Sequence, residues 1–533
     1  MTKSNSSQSS SPPSARTPRT RTGCWACRDR SVKCDAVGKN ISLAHQLARS
    51  DEFIPRYYID VVCANASLVD GRQHNPFRFH IIPLAQQSSI VYSAMLAVSA
   101  VKLAAKDPKF HRRALVHRHR VLMDIKNLLE SIHTDTFKCL EALVAVVMLC
   151  WYDISDNCKS TWISHLMGIF GFLDVCLQQN IRTPEEKAIV QFGQQYLMYH
   201  LVMAKSTLHL DEVMPKYKDI LTRLLGNSET SSTKCIDTNY TSSKELVNAT
   251  SQPVSFGYGN GDPTMQPGFR LVGPSFNDEL DRIDTHQGFS NRLLLIINDI
   301  CDLRNSQNSD ERQDNDAEAL ERRVIEIQSR LEVLTQNPPE NSYQFWERSD
   351  QPGPEELQRR LDFIMMTAES HRLATLLFLD ETCATHLPHI IPQCRKIRSA
   401  TIHEILFKVK CICETGPITA ALPIWPVFVA GCMASSDDER LQVMEIFDKF
   451  LSQKKFGSIP PALTVIQMVW RQRDLGCDEN PRKVLLVSSC NHGGNHGGKD
   501  RSRNPPTGCK QRTLYPWERA ISMLGGSSLL SLT

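Results

Sequence analysis

Three cysteines near the amino end have the spacing of metal ligands. Cys24 and Cys27 are separated by two residues, and Cys34 follows after six more. The first spacing permits a tight turn that directs two thiolates at one ion, and a short helix can return the third. Zinc favours tetrahedral thiolate sites, and its binding energy folds segments that contain few apolar residues. The sequence therefore predicts a zinc site at these three cysteines.

Basic side chains lie between the candidate ligands. Arg28 and Arg30 follow Cys27, and Lys33 directly precedes Cys34. A helix that is fixed by a metal ion and carries these cations is suited to lie against DNA, because Arg and Lys neutralise phosphates or donate to guanine edges. We therefore expect Arg28, Arg30 and Lys33 to bind DNA.

The segment resembles a known family. Residues 21–35 are similar to the first half of the fungal binuclear zinc cluster, in which six cysteines hold two zinc ions. Besides the cysteines, the matching residues are Arg21, Gly23, Trp25, Lys33 and Asp35. The resemblance implies a nuclear, zinc-dependent regulator of RNA polymerase II genes that binds double-stranded DNA, with a homodimer as an open alternative. It also implies that Lys33 helps to read a CGG triplet while Arg28 and Arg30 contact the DNA backbone.

The segment departs from that family in its second half. A further trio of cysteines should follow shortly after Cys34, but the next cysteine is Cys63. Three thiolates leave one zinc ion short of a ligand and cannot build the two-metal cluster. His45 is a fourth candidate ligand, although its neighbours Leu43, Ala44 and Leu47 favour an ordinary helix residue. The second half is either lost from the protein or skipped by the gene model.

Charge is distributed unevenly along the chain. Residues 1–39 contain eight basic and two acidic side chains, a net charge of +6, whereas the whole chain carries +3. The remaining residues therefore sum to −3. A basic arm on a slightly acidic body places any contact with a polyanion at the amino end. The same basic arm could also serve in nuclear targeting, and the alternative without a function is a solvated basic tail.

From residue 53 onward the apolar pattern is helical wherever it is clear, so we predict an all-α body. The first stripe contains Ile90, Ala94, Ala97, Val98 and Val101. A second stripe contains Leu115, Leu122, Ile125, Leu128, Leu129 and Ile132. A third and more apolar helix is predicted over 137–152, buried on most sides. Stripes of this kind normally face a protein core.

Capping residues mark several helix starts. The sequences at 183–186, 353–356 and 436–439 each combine a cap or a proline with carboxylates in the first turn. Another stripe contains Leu320, Val324, Ile327, Leu331 and Leu334. Its spacing is that of a coiled coil but spans barely two heptads, so we predict an amphipathic helix packed on its own domain.

Composition divides the chain into four parts. Residues 1–22, rich in Ser, Pro and Thr, are predicted to be a disordered basic arm, and residues 23–39 are the partial zinc-cluster motif. Residues 53–475 are predicted to be a helical regulatory domain, with a disordered insertion over 226–284 where Ser, Thr, Gly, Asn and Pro dominate. Residues 476–533 are predicted to be a disordered tail.

The helical body also resembles the regulatory domain of these fungal regulators, over most of residues 53–473. The matching motifs, in chain order, are Tyr57-Tyr58, Asn75-Pro76-Phe77-Arg78, Ile82-Pro83-Leu84-Ala85, Trp162 with His165, Leu166 and Gly168, Trp425-Pro426-Val427-Phe428, Ala430-Gly431-Cys432, Arg440 and Trp470. Taken by themselves these residues are structural. We expect Asn75 to form a turn, Trp162, His165 and Trp470 to lie in the core, and Gly431 to permit close helix contact.

Enzymes and membrane proteins are disfavoured as functional classes. The sequence has no phosphate-binding loop in a strand–helix context, no nucleophile elbow and no paired-histidine metal helix, so we predict no catalytic residues. Three prolines interrupt the uncharged stretch 416–436, which predicts a packed soluble segment and no membrane contact. The alternative to a DNA-binding regulator is a helical interaction protein that has lost DNA binding because its zinc cluster is incomplete.

Overall fold

Helices make up most of the part of the chain that the structure describes. A computed structural model describes residues 53–72, 74–179, 181–210, 214–225, 280–304, 314–340, 354–415, 421–453, 457–476, 513–525 and 530–532. Within these ranges no β-strand occurs, and two isolated bridges pair Arg282 with Asn337 and Ile283 with Ser290. The prediction of an all-α body is confirmed.

The described residues from 53 onward form one compact unit. In chain order its helices are α1 (Phe53–Tyr57), α2 (Pro76–Phe79), α3 (Ile81–Ala85), α4 (Ser89–Ala104), α5 (His111–Leu128), α6 (Thr136–Ser155), α7 (Thr161–Gln178), α8 (Pro184–Thr207), α9 (Tyr217–Leu225), α10 (Asn291–Leu303), α11 (Asp314–Glu332), α12 (Pro354–His386), α13 (Arg398–Thr415), α14 (Ile424–Met433), α15 (Asp437–Gln453), α16 (Ile459–Asp474) and α17 (Pro516–Met523). Short π and 3₁₀ segments at Tyr58–Val62, Pro108–Phe110 and Gln393–Ile397 complete the path.

Two apolar helices form the centre of the amino-terminal half. Both α4 and α6 are buried on nearly every side, and α4 packs against α5 and α6 while α6 packs against α7. Each begins at a side-chain cap, because Ser88 Oγ accepts from Val91 N and Asp135 Oδ1 accepts from Lys138 N, both at 3.2 Å. The helices predicted from the first stripe and over 137–152 are confirmed.

The orientation of α5 differs from the prediction. Its buried residues are Ala114, His117 and Val121, which lie at spacings of three and four and define the side that packs on α4 and α6. Leu115 is 42% exposed and Leu129 is 48% exposed. The second stripe therefore lies on a helix, as predicted, but its large apolar side chains are only partly buried. The smaller Ala114 and Val121 form the contact with the neighbouring helices.

Capping and amphipathic signals are otherwise confirmed. Thr183 and Glu186 form a reciprocal capping box at the start of α8, and Glu439 accepts from the backbone N–H groups of Ser435 and Ser436 before α15. The long helix α12 begins at Pro354. The heptad-like stripe of α11 packs on the domain itself, with Val324, Ile327 and Leu331 buried.

The carboxyl-terminal half is organised around α12, which packs against α13 and α14. The predicted close contact at Gly431 is confirmed, because an added Cβ there would lie 3.1 Å from Ile466 Cδ1 and 3.2 Å from Val443 Cγ1. The indole Nε1 of Trp470 donates to the carbonyl oxygen of Gly431 at 2.8 Å, and Trp162 is 1% exposed, so both tryptophans are core residues.

In the part of the chain described, no helix is long and apolar enough to cross a membrane.

The structure corrects the predicted tail over 476–533. Residues 513–525 are ordered against the body, where α17 packs on α16 and Tyr515 and Trp517 are each 1% exposed. A capping box between Tyr515 and Glu518 starts the helix, and Arg304 Nη1 donates to Glu518 Oε1 at 2.7 Å. An eight-residue helix has no long apolar stripe, and its stability comes from distant side chains, so composition did not reveal it.

The predicted insertion over 226–284 also ends earlier than expected. Leu280 and Ile283 are buried, and Ile283 N donates to the carbonyl oxygen of Asn337 at 2.8 Å. The polar composition of the preceding residues gave no indication that Leu280 and Ile283 pack on the body. The rest of the insertion, residues 477–512 of the tail, and the segments 1–22 and 23–39 lie outside the described residues.

Candidate functional site

The residues predicted to bind metal and DNA lie outside the described part of the chain. They are Cys24, Cys27 and Cys34 as metal ligands and Arg28, Arg30 and Lys33 as DNA contacts. Their arrangement therefore stays a prediction. What the structure describes is the surroundings of the next cysteine and of the other titratable groups.

Cys63 is a core residue of the helical unit. Its thiol is fully buried and donates to the carbonyl oxygen of Ile59 at 3.2 Å. Burial raises the pKa of Cys63 to about 12, which keeps the thiol protonated. Because this thiol is enclosed in the core and is bonded to a backbone carbonyl, Cys63 is placed as a core side chain and is not exposed as a ligand.

The other described cysteines have the same character. All are buried except Cys411, which is half-buried. Burial raises the pKa of Cys301, Cys383 and Cys394 to about 12 in each case. Among the described residues, no group of three His, Cys, Asp or Glu side chains is placed to hold a metal ion. Where they are described, these cysteines are thus side chains of the helical core or its margin.

Asn75 joins three segments at the amino end of the unit. Its side-chain amide donates to the carbonyl oxygen of Cys63 at 2.6 Å and to Asp70 Oδ1 at 2.8 Å, and its Oδ1 accepts from Arg78 N. The guanidinium of Arg78 pairs with Asp70 at 2.7 Å. Asn75 caps α2 as well as forming the predicted turn, so its role is structural.

His165 belongs to a buried network around Asp153. This fully buried carboxylate lies 3.0 Å from His165 Nε2 and 3.1 Å from Arg118 Nε, and it also accepts from the hydroxyl of Thr161. Burial pushes the pKa of Asp153 upward, but hydrogen bonds from His165, Arg118 and Thr161 outweigh burial and hold it below its ordinary value. The network ties α5 to α6 and α7, so the half-buried His165 has a structural role at the edge of the core.

A small cavity lies between elements from both halves of the unit. Its lining includes Lys102 of α4, Trp151 of α6, His200 of α8 and the separate residues His286 and Gly457. The cavity has room for about two water molecules. Gly457 forms a wall with its backbone, since a Cβ there would lie 2.5 Å from the carbonyl oxygen of Ile154.

The lining of this cavity is basic and aromatic. Lys102 Nζ lies 4.8 Å from the ring centroid of Trp151, and burial lowers the pKa of Lys102 to about 8. Burial also lowers the pKa of His200 well below its ordinary value, and the nearby His286 adds to that effect. Burial lowers the pKa of His286 too. At neutral pH the cavity presents a cation beside two uncharged imidazoles, a lining suited to ordered water or a small polar group.

A family model covers most of the helical unit. Residues 52–492 match the model described as the fungal specific transcription factor domain. The chain belongs to this family. Membership explains why the motifs from Asn75-Pro76 to Trp470 occur in order along one helical body. No curated protein matches the chain. No solved structure matches it either.

Membership of the fungal specific transcription factor domain family gives the chain a general role. It suggests a transcriptional regulator and a nuclear protein, and it implies a regulator that is not an enzyme. The match begins at residue 52, so Cys24, Cys27 and Cys34 lie outside the matched region. The prediction of DNA binding therefore rests on the amino-terminal residues alone.

Sequence reasoning did not identify the cavity residues. Lys102 lies at the polar end of an otherwise apolar helix, and His200 lies within the buried middle of α8. His286 lies two residues beyond the stretch predicted to be a disordered insertion. A buried histidine in an apolar helix was the one available signal, and it does not specify which distant residues it meets.

Proposed function

We propose that this protein is a sequence-specific, zinc-dependent DNA-binding regulator of RNA polymerase II genes. The observation that carries the proposal is the trio Cys24, Cys27 and Cys34, with Lys33 between its last two members, in a chain whose body belongs to the fungal specific transcription factor domain family. The body supplies the regulatory part of such a protein. The amino-terminal segment supplies the contact with DNA.

The donor set fits one zinc ion better than two. Cys24, Cys27 and Cys34 offer three thiolates for a tetrahedral ion, and the fourth position is left to another donor. Six cysteines are needed for the two-zinc cluster, and Cys63 is committed to the helical core. A bound zinc ion would supply folding energy to a segment with few apolar residues.

The basic residues of the segment have separate roles in DNA binding. Lys33 is suited to donate to the O6 and N7 acceptors of guanine in a CGG triplet. Arg28 and Arg30 are suited to neutralise backbone phosphates, which adds affinity without sequence preference. The net charge of +6 on residues 1–39 favours approach to DNA by this end of the chain.

Binding of the full chain to duplex DNA tests the base-reading role. We expect Lys33→Ala to weaken binding to a CGG-containing duplex by about 1–3 kcal/mol and to affect a random duplex less. Lys39→Ala is the matched control, because it removes a lysine beyond the last ligand. Equal loss on both duplexes contradicts base reading by Lys33.

Metal analysis of the purified full chain tests zinc dependence. We expect about one zinc ion per chain and its loss in Cys24→Ser or Cys27→Ser, with Cys411→Ser as a control in the helical body. A wild-type chain without zinc contradicts the site.

The burial of Cys63, the next cysteine after Cys34, favours a second function. Because Cys63 is a buried core thiol, the described part of the helical body supplies no ligand for a complete cluster. The protein is then a helical interaction protein that has lost DNA binding. A transcript read across codons 34–45 decides between the two functions: restored cysteines support direct DNA binding, and a confirmed reading frame supports the interaction protein.

A further inference from the structure

Helix α5 and its C-cap Leu129 carry three leucines at seven-residue intervals, of which Leu115 and Leu129 face solvent while Leu122 packs partly on the core. Leu115 is 42% exposed, Leu129 is 48% exposed, and Leu122 between them is half-buried. Val116, which follows Leu115, is 55% exposed, and Met123, which follows Leu122, is 44% exposed. Single exposed apolar residues are normal on protein surfaces, but a run at helical spacing along one helix forms a continuous strip.

Basic side chains alternate with these leucines at the same interval. Arg112, His119 and Lys126 are exposed and are each separated by seven residues. The only acidic residue of α5 is Asp124, which lies 3.8 Å from Arg120 and pairs with it. Of the five Arg and Lys side chains of α5, Arg118 is paired with the buried Asp153 of α6, whereas Arg112 and Lys126 are exposed. We call Arg112, Leu115, His119, Leu122, Lys126 and Leu129 the basic-leucine face.

We propose that the basic-leucine face binds an acidic amphipathic helix of another protein. Spacings of four and three between successive residues of the face are those at which one helix packs along another. The leucines would enter the apolar stripe of the partner helix, and carboxylates beside that stripe would lie near Arg112 and Lys126. This interaction is independent of whether the amino-terminal segment binds DNA.

Charge and apolar area separate this partner from two other occupants. A second copy of α5 would bring cations against cations, which opposes packing of the face on itself. Duplex DNA would satisfy the cations but would leave the leucines without an apolar surface. An acidic amphipathic helix satisfies both kinds of side chain.

Fluorescence anisotropy with the full chain tests the proposal. The probe is a labelled synthetic helix with leucines at alternating spacings of three and four and glutamates on both sides of that stripe. Two companion peptides replace the glutamates by glutamine or the leucines by serine. We expect each companion to bind about tenfold more weakly than the probe, a loss of about 1.4 kcal/mol.

Variants of the protein locate the binding surface. Leu115→Ser combined with Leu129→Ser, and Arg112→Glu combined with Lys126→Glu, should each weaken probe binding by about tenfold. Phe407→Ser on α13 is the matched apolar control because Phe407 is 66% exposed. Arg359→Glu on α12 is the matched charge control because the Arg359 side chain is 65% exposed. Unchanged thermal melting shows that each variant is folded.

Four results overturn the proposal. The first is equal binding of the probe and its glutamine companion, and the second is an equal loss in the control variants. The third is that the chain binds duplex DNA or anionic vesicles, and that this binding depends on Arg112 and Lys126 but not on Leu115 and Leu129. That result would indicate a surface for polyanions. The fourth is self-association that Leu115→Ser abolishes, which indicates a second copy of the chain.

Discussion

The basic-leucine face of α5 and the surface that α17 covers are both apolar surfaces bordered by a cation, but they differ in what lies on them. At the second surface, Trp517 packs near Phe378 and Phe428, with ring centroids 6.2 Å and 6.0 Å away. Arg304 there is paired with Glu518, and both side chains are 5% exposed. On α5 the leucines and cations face solvent. The comparison teaches that this chain can complete an apolar surface with a distant segment of its own, and that α5 has no such cover in the described residues.

Removing the aromatic anchor of α17 should have the largest effect on stability. We expect Trp517→Ala to lower the free energy of unfolding by about 3–5 kcal/mol, because a fully buried indole leaves a cavity. Chemical denaturation of the full chain measures the change. Met523→Ala is the control on the same helix, since Met523 is 60% exposed. A similar small change in both variants would mean that α17 is not part of the cooperative unit.

Removing the charge of Glu518 should come next. In Glu518→Gln the buried guanidinium of Arg304 loses its carboxylate partner, so we expect a loss of about 3 kcal/mol in unfolding free energy. Asp474→Asn is the control because it removes the carboxylate of the more exposed pair with Arg440. Replacing both Arg304 and Glu518 by apolar residues should recover part of the loss. If the double variant is as unstable as the single one, an unpaired buried charge is not the cause.

The cavity lysine should give a smaller, pH-dependent effect. Burial lowers the pKa of Lys102 to about 8 in the folded chain, whereas an unfolded lysine titrates near about 10.4. The unfolded state therefore binds more protons between these values, and the contribution of Lys102 to stability should rise with pH across that window. Denaturation midpoints at pH 7.5 and 10 measure the difference, and Lys102→Met should reduce it relative to Lys106→Met. An unchanged difference in Lys102→Met contradicts the assignment.

Substitution on the basic-leucine face should have the smallest effect on stability. We expect Leu129→Ser to change the free energy of unfolding by less than about 0.5 kcal/mol, because its side chain is already half in solvent. Thermal melting of this variant beside Val121→Ser, at a fully buried position of the same helix, gives the comparison. A loss in Leu129→Ser as large as that in Val121→Ser would show that the leucines are core residues after all.

The sequence predicted the helices of this protein better than it predicted their contacts. The capping box of Thr183 and the start of α12 at Pro354 depend on neighbouring residues, and local chemistry identified them. The inward side of α5 depends on which residues fit against α4, and apolar periodicity alone selected Leu115 and Leu129 wrongly. Periodicity gives the existence of a helix with more certainty than its rotation in the fold.

Long-range contacts account for the other differences. The docking of α17 depends on Arg304 and Thr382, which lie 214 and 133 residues away from their partners Glu518 and Tyr515. The cavity likewise joins Lys102 to His286 across the middle of the chain. No local pattern encodes such pairs. The amino-terminal segment differs, because the predicted zinc site depends only on the local spacing of Cys24, Cys27 and Cys34.

The position of α17 in the chain has a consequence for synthesis. Arg304 and Thr382 leave the ribosome long before residues 513–525 are made, so their buried partners arrive late. Until then a nascent chain exposes the aromatic surface around Phe378 and an unpaired guanidinium to chaperones and proteases. A message cut short before codon 513 would give a product that stays in this state. The docking of α17 is therefore a late folding step, and a chain without this helix keeps the aromatic surface around Phe378 uncovered.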